Sequence, residues 1–291
     1  MELRQLRYVL TVAETGSFTA AAEVLYVSQP SVSQGIGALE RELGVRLFHR
    51  VGRGVVLSAA GEAVLEPARR ALREVDAART AAGAVVGLLA GRLDLVSLPT
   101  LASEPLPRLV GAFRRAHPAV RVEVLEPDDD RDAVDAIVTG RVELGLLELP
   151  SGHGELFEEV LFVQRIVAVF PPGTPRRRRP LPPADLGDVD LITTPAGSST
   201  RRIAERAVRP SGRSLRIAVE TGQREAILPL VLAGAGAALL PEPLAAEAAA
   251  AGAVVLRLAP SPERTVGLVR RAGPLSPAGE AFAAIARDLS A

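Results

Sequence analysis

The sequence of 291 residues contains no cysteine, which excludes disulfide bonds, thiol catalysis and cysteine-ligated zinc or iron–sulfur centres. Tryptophan, lysine and asparagine are also absent, and aromatic residues make up only 3% of the chain. All 34 basic residues are therefore arginines, and they balance 34 acidic residues, so bulk attraction to nucleic acid is excluded. The histidines, His49, His117 and His153, share no short spacing, and we expect no metal site and no cofactor.

Long apolar runs are missing as well. The richest segment, 226–240, is interrupted by Pro229, Gly234 and Gly236, so no membrane span is expected. The N-terminus lacks the apolar core of a secretion signal, and we predict a soluble cytoplasmic protein. The length is about twice that of a single domain, and 48% hydrophobic residues suffice for real cores, so two or more domains are expected.

Residues 1–57 have the pattern of three short helices followed by a hairpin. Ser17 and Ser28 are good N-caps for the second and third helices, because a serine hydroxyl can accept a hydrogen bond from an unpaired backbone N–H. The third helix has one apolar face and one polar face, and a turn rich in arginine and glycine follows it. This order predicts a winged helix-turn-helix, although the periodicity also suits an ordinary small bundle.

A DNA-binding function assigns a role to the polar face of the third helix. A major groove admits one helix, and amide side chains can donate and accept at once, as the edge of adenine requires. The predicted DNA contacts lie at the start of the third helix: Ser28, Gln29, Pro30, Ser31, Ser33 and Gln34. Arg50 and Arg53 of the hairpin are predicted to contact phosphates.

Short motifs in residues 3–61 distinguish between these possibilities. They are Leu3-Arg4-Gln5-Leu6-Arg7-Tyr8, Gly16-Ser17-Phe18-Thr19-Ala20-Ala21-Ala22, Val27-Ser28-Gln29-Pro30-Ser31-Val32-Ser33, Leu39-Glu40, Glu42-Leu43-Gly44-Val45-Arg46-Leu47-Phe48-His49-Arg50 and Leu57-Ser58-Ala59-Ala60-Gly61. Together they closely resemble the N-terminal domain of LysR-type transcriptional regulators. Gly35 and Gly37 replace the bulkier residues usual in that family, so we expect them to weaken the helix and to remove possible DNA contacts.

Residues 58–90 predict one long amphipathic helix. Its apolar residues keep a spacing of three and four over roughly four heptads, so the apolar stripe needs a partner. The helix could pack on its own domain or pair with a second copy in an antiparallel dimer, and the family resemblance favours the dimer. Two recognition helices held about 34 Å apart could then contact two half-sites on one face of a duplex.

Residues 91–291 alternate strands and helices, which predicts an α/β class with parallel sheets. They resemble the effector-binding half of LysR-type regulators, with two Rossmann-like subdomains similar to periplasmic binding proteins. The resemblance implies subdomain I at 91–162 plus 262–291 and subdomain II at 163–261. We expect the ligand between them, where strand ends meet helix starts. Matching the family's motif positions assigns ligand contacts to Thr100, Glu148, Ser198 and Ser199, although each hydroxyl could equally be a helix N-cap.

We therefore interpret the chain as a LysR-type, DNA-binding transcriptional regulator, and not an enzyme. The resemblance implies promoter DNA and a small-molecule effector as partners, in a homodimer or homotetramer. A second hypothesis is an effector-independent regulator with a closed or vestigial cleft. A third is an enzyme or transport-type binding protein, which the α/β half does not favour because it offers no nucleophile–base pair, phosphate loop or metal cluster.

Overall fold

The computed structural model describes residues 1–52, 54–84, 89–127, 129–175 and 180–290, which form two compact units. The first consists mainly of residues Met1–Gly91, and the second contains most of the remaining described chain. No described helix is long and apolar enough to cross a lipid bilayer. The described residues also contain no cluster of three side chains suited to holding a metal ion.

The first unit is a winged helix-turn-helix followed by a long helix. Its elements are α1 (Leu3–Thr15), α2 (Phe18–Val24), α3 (Gln29–Leu43), β1 (Phe48–Val51), β2 (Gly54–Leu57) and α4 (Ala59–Ala84). The helix signals in the sequence are confirmed. Gly16 and Gly44 end α1 and α3 in the left-handed conformation, with φ of 64° and 72°. Ser17 and Ser28 cap α2 and α3 through their side-chain oxygens.

One apolar core joins these elements. Its fully buried members include Val9 and Val12 of α1, Val32 and Leu39 of α3, and Leu47 before the wing. The first half of α4 packs against the same core through Ala60, Val64, Leu65, Ala68, Ala71 and Leu72. Packing on its own domain therefore accounts for the apolar stripe in that half of the helix.

The two glycines of α3 differ in surroundings. A Cβ on Gly35 would lie 2.7 Å and 2.9 Å from Cδ2 and Cε2 of the Tyr8 ring, whereas a Cβ on Gly37 would have nothing within 4 Å. Gly35 is thus required by the close approach of α1 and α3. The expectation that both glycines weaken the helix and remove possible DNA contacts therefore omits the packing role of Gly35.

We expect Gly35→Ala to lower the free energy of unfolding of this unit by about 1–2 kcal/mol, because the Tyr8 ring must shift. The matched variant Gly37→Ala should raise it by about 0.5–1 kcal/mol through helix propensity alone. Urea unfolding followed by tyrosine fluorescence measures both, because Tyr8 and Tyr26 are the only tyrosines and no tryptophan is present. Equal effects of the two substitutions would contradict the packing role of Gly35.

The second unit begins with the predicted βαβαβ segment. It contains β3 (Gly91–Ser97), α5 (Pro99–Ala102), α6 (Leu106–Ala116), β4 (Val120–Leu125), α7 (Asp130–Val138) and β5 (Leu144–Leu149). The strands lie in the order β4-β3-β5, and β3 and β5 pair in parallel with Leu95 opposite Leu144. The carboxyl ends of these strands therefore meet at one edge of the sheet, as the sequence predicted.

A long strand, β6 (Leu156–Phe170), continues the sheet and crosses from the first half of the unit to the second. Its first part pairs antiparallel with β11 (Glu263–Arg271), which in turn pairs antiparallel with β5. Its last residues, Ile166–Phe170, pair with the strands of the second half of the unit. The sheet is mixed because these two long strands return across it, and helix α11 (Pro277–Asp288) follows β11.

The second half of the unit forms around the end of β6. Its elements are β7 (Asp190–Thr193), α8 (Ser199–Val208), β8 (Arg216–Glu220), α9 (Ile227–Leu232), β9 (Ala238–Pro241), α10 (Glu242–Ala250) and β10 (Val254–Leu256). Strands β7 and β8 are parallel, whereas β9 and β10 run antiparallel to β6. The sequence pattern over 223–233 predicts one helix, but the structure has a 3-10 turn, Arg224–Ala226, followed by α9. Pro229 lacks the N–H that a continuous helix would use there.

Candidate functional site

The N-terminal part of α3 presents polar side chains to solvent. Pro30, Ser31 and Gln34 are exposed, and Gln29 and Ser33 are half-exposed. The Ser28 hydroxyl accepts from the Ser31 N–H at 3.4 Å and shares a hydrogen bond with the Ser31 hydroxyl at 2.8 Å. Among the described residues, the side chains of Gln29, Ser33 and Gln34 have no hydrogen-bond partner, so this face keeps its capacity to bind another molecule.

The wing lies beside this helix in the same unit. Arg50 is exposed on β1 and is paired across the hairpin with Val55. Arg53, the other predicted phosphate contact, lies outside the described residues. Phe48 at the start of β1 is buried and meets the Phe18 ring edge-on, with centroids 5.9 Å apart. This contact holds the wing against α2.

Hydrogen bonds of Glu40 and Ser58 fix the wing at both ends. The Glu40 Oε1 atom of α3 accepts from the backbone N–H groups of Leu47 at 2.7 Å and Phe48 at 3.3 Å. The Ser58 hydroxyl donates to the Arg46 carbonyl at 2.6 Å and accepts from the Gly61 N–H at 3.0 Å. Helix α3, the wing and α4 therefore form one connected body.

Tyr26 is a surface feature that the sequence did not single out. It lies between α2 and α3 with a positive φ of 53°, which is rare for a residue with a side chain. Its side chain is 96% exposed and so points away from the core. The residue precedes the N-cap of α3 by two positions, and a ring and hydroxyl beside that helix start can contact the same target.

In the second unit, two of the four predicted ligand contacts meet each other. The buried Ser199 hydroxyl at the start of α8 donates to the Glu148 carboxylate at the end of β5. Glu148 is 9% exposed and also pairs with Arg206 at 2.7 Å and with Arg202 at 3.5 Å. Its charge is therefore compensated within the protein.

Helix α8 makes a further ionic contact with the first half of the unit. Arg202 pairs with Asp130 at the start of α7. Burial raises the pKa of Asp130 above its ordinary value and outweighs the opposite effect of Arg202. Two arginines of α8, Arg202 and Arg206, thus hold carboxylates that follow β4 and end β5.

Ser198 acts as the N-cap of α8, which was the alternative role for each hydroxyl. Its oxygen accepts from the Arg201 N–H at 3.4 Å, and its hydroxyl shares a hydrogen bond with Thr194 at 2.5 Å. Ser198 therefore already has protein partners, and a role in ligand contact stays a prediction for all four residues.

Thr100, the fourth predicted contact, binds an arginine that sequence reasoning missed. Its hydroxyl oxygen accepts from Arg264 Nη1 at 2.7 Å, and its carbonyl accepts from Nη2 at 3.3 Å. Arg264 on β11 is 3% exposed and also donates from Nε to Gln164 Oε1 at 2.7 Å. Burial lowers the pKa of its guanidinium to about 10, although Glu148 and Asp130 act in the opposite direction.

The position of Arg264 in the strand pattern could have identified it. Side chains alternate along a strand, so Arg264 lies on the same face of β11 as Val266 and Leu268, which are both buried. A charged residue in an apolar phase is a departure that indicates a special environment.

These features define a class of protein: a regulator that combines a DNA-binding winged helix with an α/β ligand-binding half. Residues 3–62 match the family model described as bacterial regulatory helix-turn-helix protein, lysR family, and residues 87–291 match the LysR substrate binding domain. The chain belongs to the LysR family of transcriptional regulators. It is thus a DNA-binding regulator with an effector-binding half, in a family of regulators and not of enzymes.

Two related regulators are similar in sequence to this chain over nearly the full length of both proteins. The SDS degradation transcriptional activation protein of Pseudomonas sp. (strain ATCC 19151) is 35% identical over 99% of this chain and 96% of its own. The transcriptional dual regulator GltC of Bacillus subtilis (strain 168) is 30% identical over 93% of this chain and 91% of its own.

Solved structures show the same fold. A full-length OxyR variant from Pseudomonas aeruginosa superposes with a TM-score of 0.77 at 27% identity, covering 99% of this chain and 95% of that one. Full-length CbnR complexed with its target DNA gives a TM-score of 0.68 at 26% identity, with 100% of both chains covered.

Proposed function

We propose that this regulator binds promoter DNA with α3 in the major groove. The observation that supports this is the polar face at the start of α3, where Gln29, Ser33 and Gln34 lack protein partners while the opposite face is buried. Ser28, Pro30 and Ser31 complete the proposed DNA contacts at the start of α3, and Arg50 and Arg53 contact phosphates. The structure of CbnR with its target DNA supports this assignment by similarity. Tyr26 is added as a contact to the DNA backbone.

The proposed assembly is a homodimer formed through the linker helix at 58–90. The first half of α4 is occupied by its own core, but Val75 is only half-buried and Ala78 is exposed, so the stripe continues beyond that core. Residues 85–88 of the predicted linker lie outside the described residues. Pairing of the α/β halves would extend the dimer to a homotetramer, as the resemblance implies. A regulator that reads promoter DNA works in the bacterial cytoplasm.

The proposed effector site lies between subdomain I (91–162 plus 262–291) and subdomain II (163–261), next to Thr100, Glu148, Ser198 and Ser199. An effector changes DNA binding only through its different affinity for two arrangements of the protein. One observation favours the alternative of an effector-independent regulator: Glu148 is already bound by Ser199, Arg202 and Arg206. A ligand must therefore compete with these contacts or bind beside them.

The DNA assignment is tested by comparing Gln29→Ala with Arg50→Ala in full-length protein. We expect Gln29→Ala to weaken binding to the regulator's own upstream DNA about tenfold or more, with little change on a scrambled duplex, because a base-edge contact is lost. Arg50→Ala should weaken both duplexes and reduce the slope of log affinity against log salt by about 1. The measurement is a fluorescence-anisotropy titration at several salt concentrations.

Equal losses on both duplexes for Gln29→Ala would contradict its role in base recognition. Arg165→Ala is the matched control for Arg50→Ala. Arg165 is also an exposed arginine on a strand, in the second unit, and its removal should leave the salt slope unchanged.

A further inference from the structure

We propose that the effector carries an anionic group, a carboxylate or a phosphate, which is bound by Arg224 and Arg264 beside Gln164. This inference rests on the proposed effector site and names the chemical class that the site takes. Neither arginine has a carboxylate within 4 Å among the described residues, in contrast to Arg202 and Arg206.

Arg264 is a buried cation with neutral partners only. Its three hydrogen bonds go to the Thr100 hydroxyl, the Thr100 carbonyl and the Gln164 amide oxygen. A guanidinium has five N–H donors, so two remain for a ligand. Burying a charge without an opposite charge is costly, and an anion brought by a ligand removes that cost.

The Gln164 side chain adds a donor of fixed direction. Because a guanidinium can only donate, the amide oxygen must face Arg264, and the NH₂ group must therefore point away from it. That nitrogen is buried and has no hydrogen-bond partner, while the residue is 4% exposed. A buried amide donor without an acceptor is rare in folded proteins, and an anionic oxygen beside Arg264 would satisfy it.

Arg224 brings a second unpaired cation from the other half of the unit. It begins the 3-10 turn after β8, and its Nε atom is buried without a partner. Burial lowers its pKa below the ordinary arginine value, while Glu126, Asp130 and the exposed Glu225 act to raise it. The charge of Arg224 also lowers the pKa of Arg264, although burial is the larger cause.

The acidic residues nearby are paired with arginines of α8. Glu148 and Asp130 act to raise the pKa of Arg264, but their ion pairs with Arg202 and Arg206 reduce the repulsion that an anion beside Arg264 would meet. Planar guanidinium groups match the paired oxygens of a carboxylate or phosphate, which makes these the groups that two arginines recognise best.

The experiment uses full-length protein and three small probes: sodium acetate, sodium phosphate and the neutral acetamide, at constant ionic strength. Thermal unfolding is followed by circular dichroism and, in parallel, by tyrosine fluorescence. Both tyrosines lie in the first unit, so a transition that changes the circular dichroism but not the tyrosine signal belongs to the α/β half. An anion at ten times its dissociation constant should raise this Tm by about 3 °C. The neutral acetamide should leave this Tm unchanged. The anion that raises the Tm more, acetate or phosphate, identifies the anionic group of the effector as a carboxylate or a phosphate.

Arg264→Gln and Arg224→Gln should each abolish the shift, whereas Arg264→Lys, which keeps the charge, should retain part of it. The matched control is Arg209→Gln, which removes an exposed arginine after α8 and should respond as the wild type does. Because Arg224 is only half-buried, its variant keeps the test valid if Arg264→Gln fails to fold.

A shift that survives both glutamine variants, or the absence of any shift with either anion, overturns the inference. A rise in this Tm with acetamide that Thr100→Ala removes also overturns the inference of an anionic effector. In that case the effector site itself stands, but it takes neutral molecules. DNA binding is measured separately, so the DNA-reading function can fail or stand independently of these results.

Discussion

Replacing Gly61 with alanine is expected to lower the free energy of unfolding of the DNA-binding unit by about 3 kcal/mol. A Cβ at this position would lie 2.2 Å from the Leu47 carbonyl oxygen and 2.8 Å from Leu57 Cδ2. The backbone oxygen cannot rotate away as a side chain could, so either the start of α4 or the base of the wing must move. Both are held by Ser58, whose hydroxyl bonds to Arg46 and Gly61.

The loss is measured by urea unfolding with tyrosine fluorescence, with Gly37→Ala as the matched control. The same methyl group is added there in open space on a helix of the same unit, so the control should not destabilise it. Affinity for any duplex should also fall in Gly61→Ala, because the wing arginines are displaced. An unfolding midpoint equal to that of the wild type would show that the wing and α4 are not tightly joined at this residue.

The second large effect is expected from Ala78→Glu. Ala78 is exposed on α4, so the substitution leaves the core of one chain intact, but it places a charge in the proposed helix–helix interface. Binding to two half-sites then becomes two separate events, and the affinity for the promoter should fall about 100-fold or more. Light scattering should show a smaller particle at the same protein concentration.

Arg70→Ala is the control for this variant, because it changes the net charge by the same amount on the same helix. Arg70 is exposed and pairs with Glu66 at 3.0 Å, an i,i+4 surface contact of little energetic value. If Ala78→Glu remained a dimer and kept full promoter affinity, pairing through the second half of α4 would be wrong.

The DNA-binding unit could be predicted in detail because its signals are local. N-caps such as Ser28, glycine stops such as Gly44 and helical spacing depend on residues three or four apart. The role of Gly35 could not be predicted in this way, since it depends on the Tyr8 ring of another helix. Only the packed structure shows which of two glycines is required.

In the α/β half, the order of elements was predictable, but the pairing of strands was not. The first ten residues of β6 were not predicted as a strand, because Val160 and Val163 are exposed and disturb the alternating pattern. The antiparallel return of β11 joins residues about 100 positions apart, and no local pattern encodes such a contact. The unpaired arginines were missed because an all-arginine composition makes any single arginine uninformative.

The length of α4 gives it a mechanical role. Its 26 residues span about 39 Å, and its first half shares a core with α1 and the recognition helix, so we expect the three helices to tilt together as one rigid arm. Over that length, a tilt of about 5° displaces the far end by about 3.4 Å, which is one base step along a strand. A slight change in the crossing angle of two such arms is therefore enough to shift which pair of half-sites both protomers can reach together.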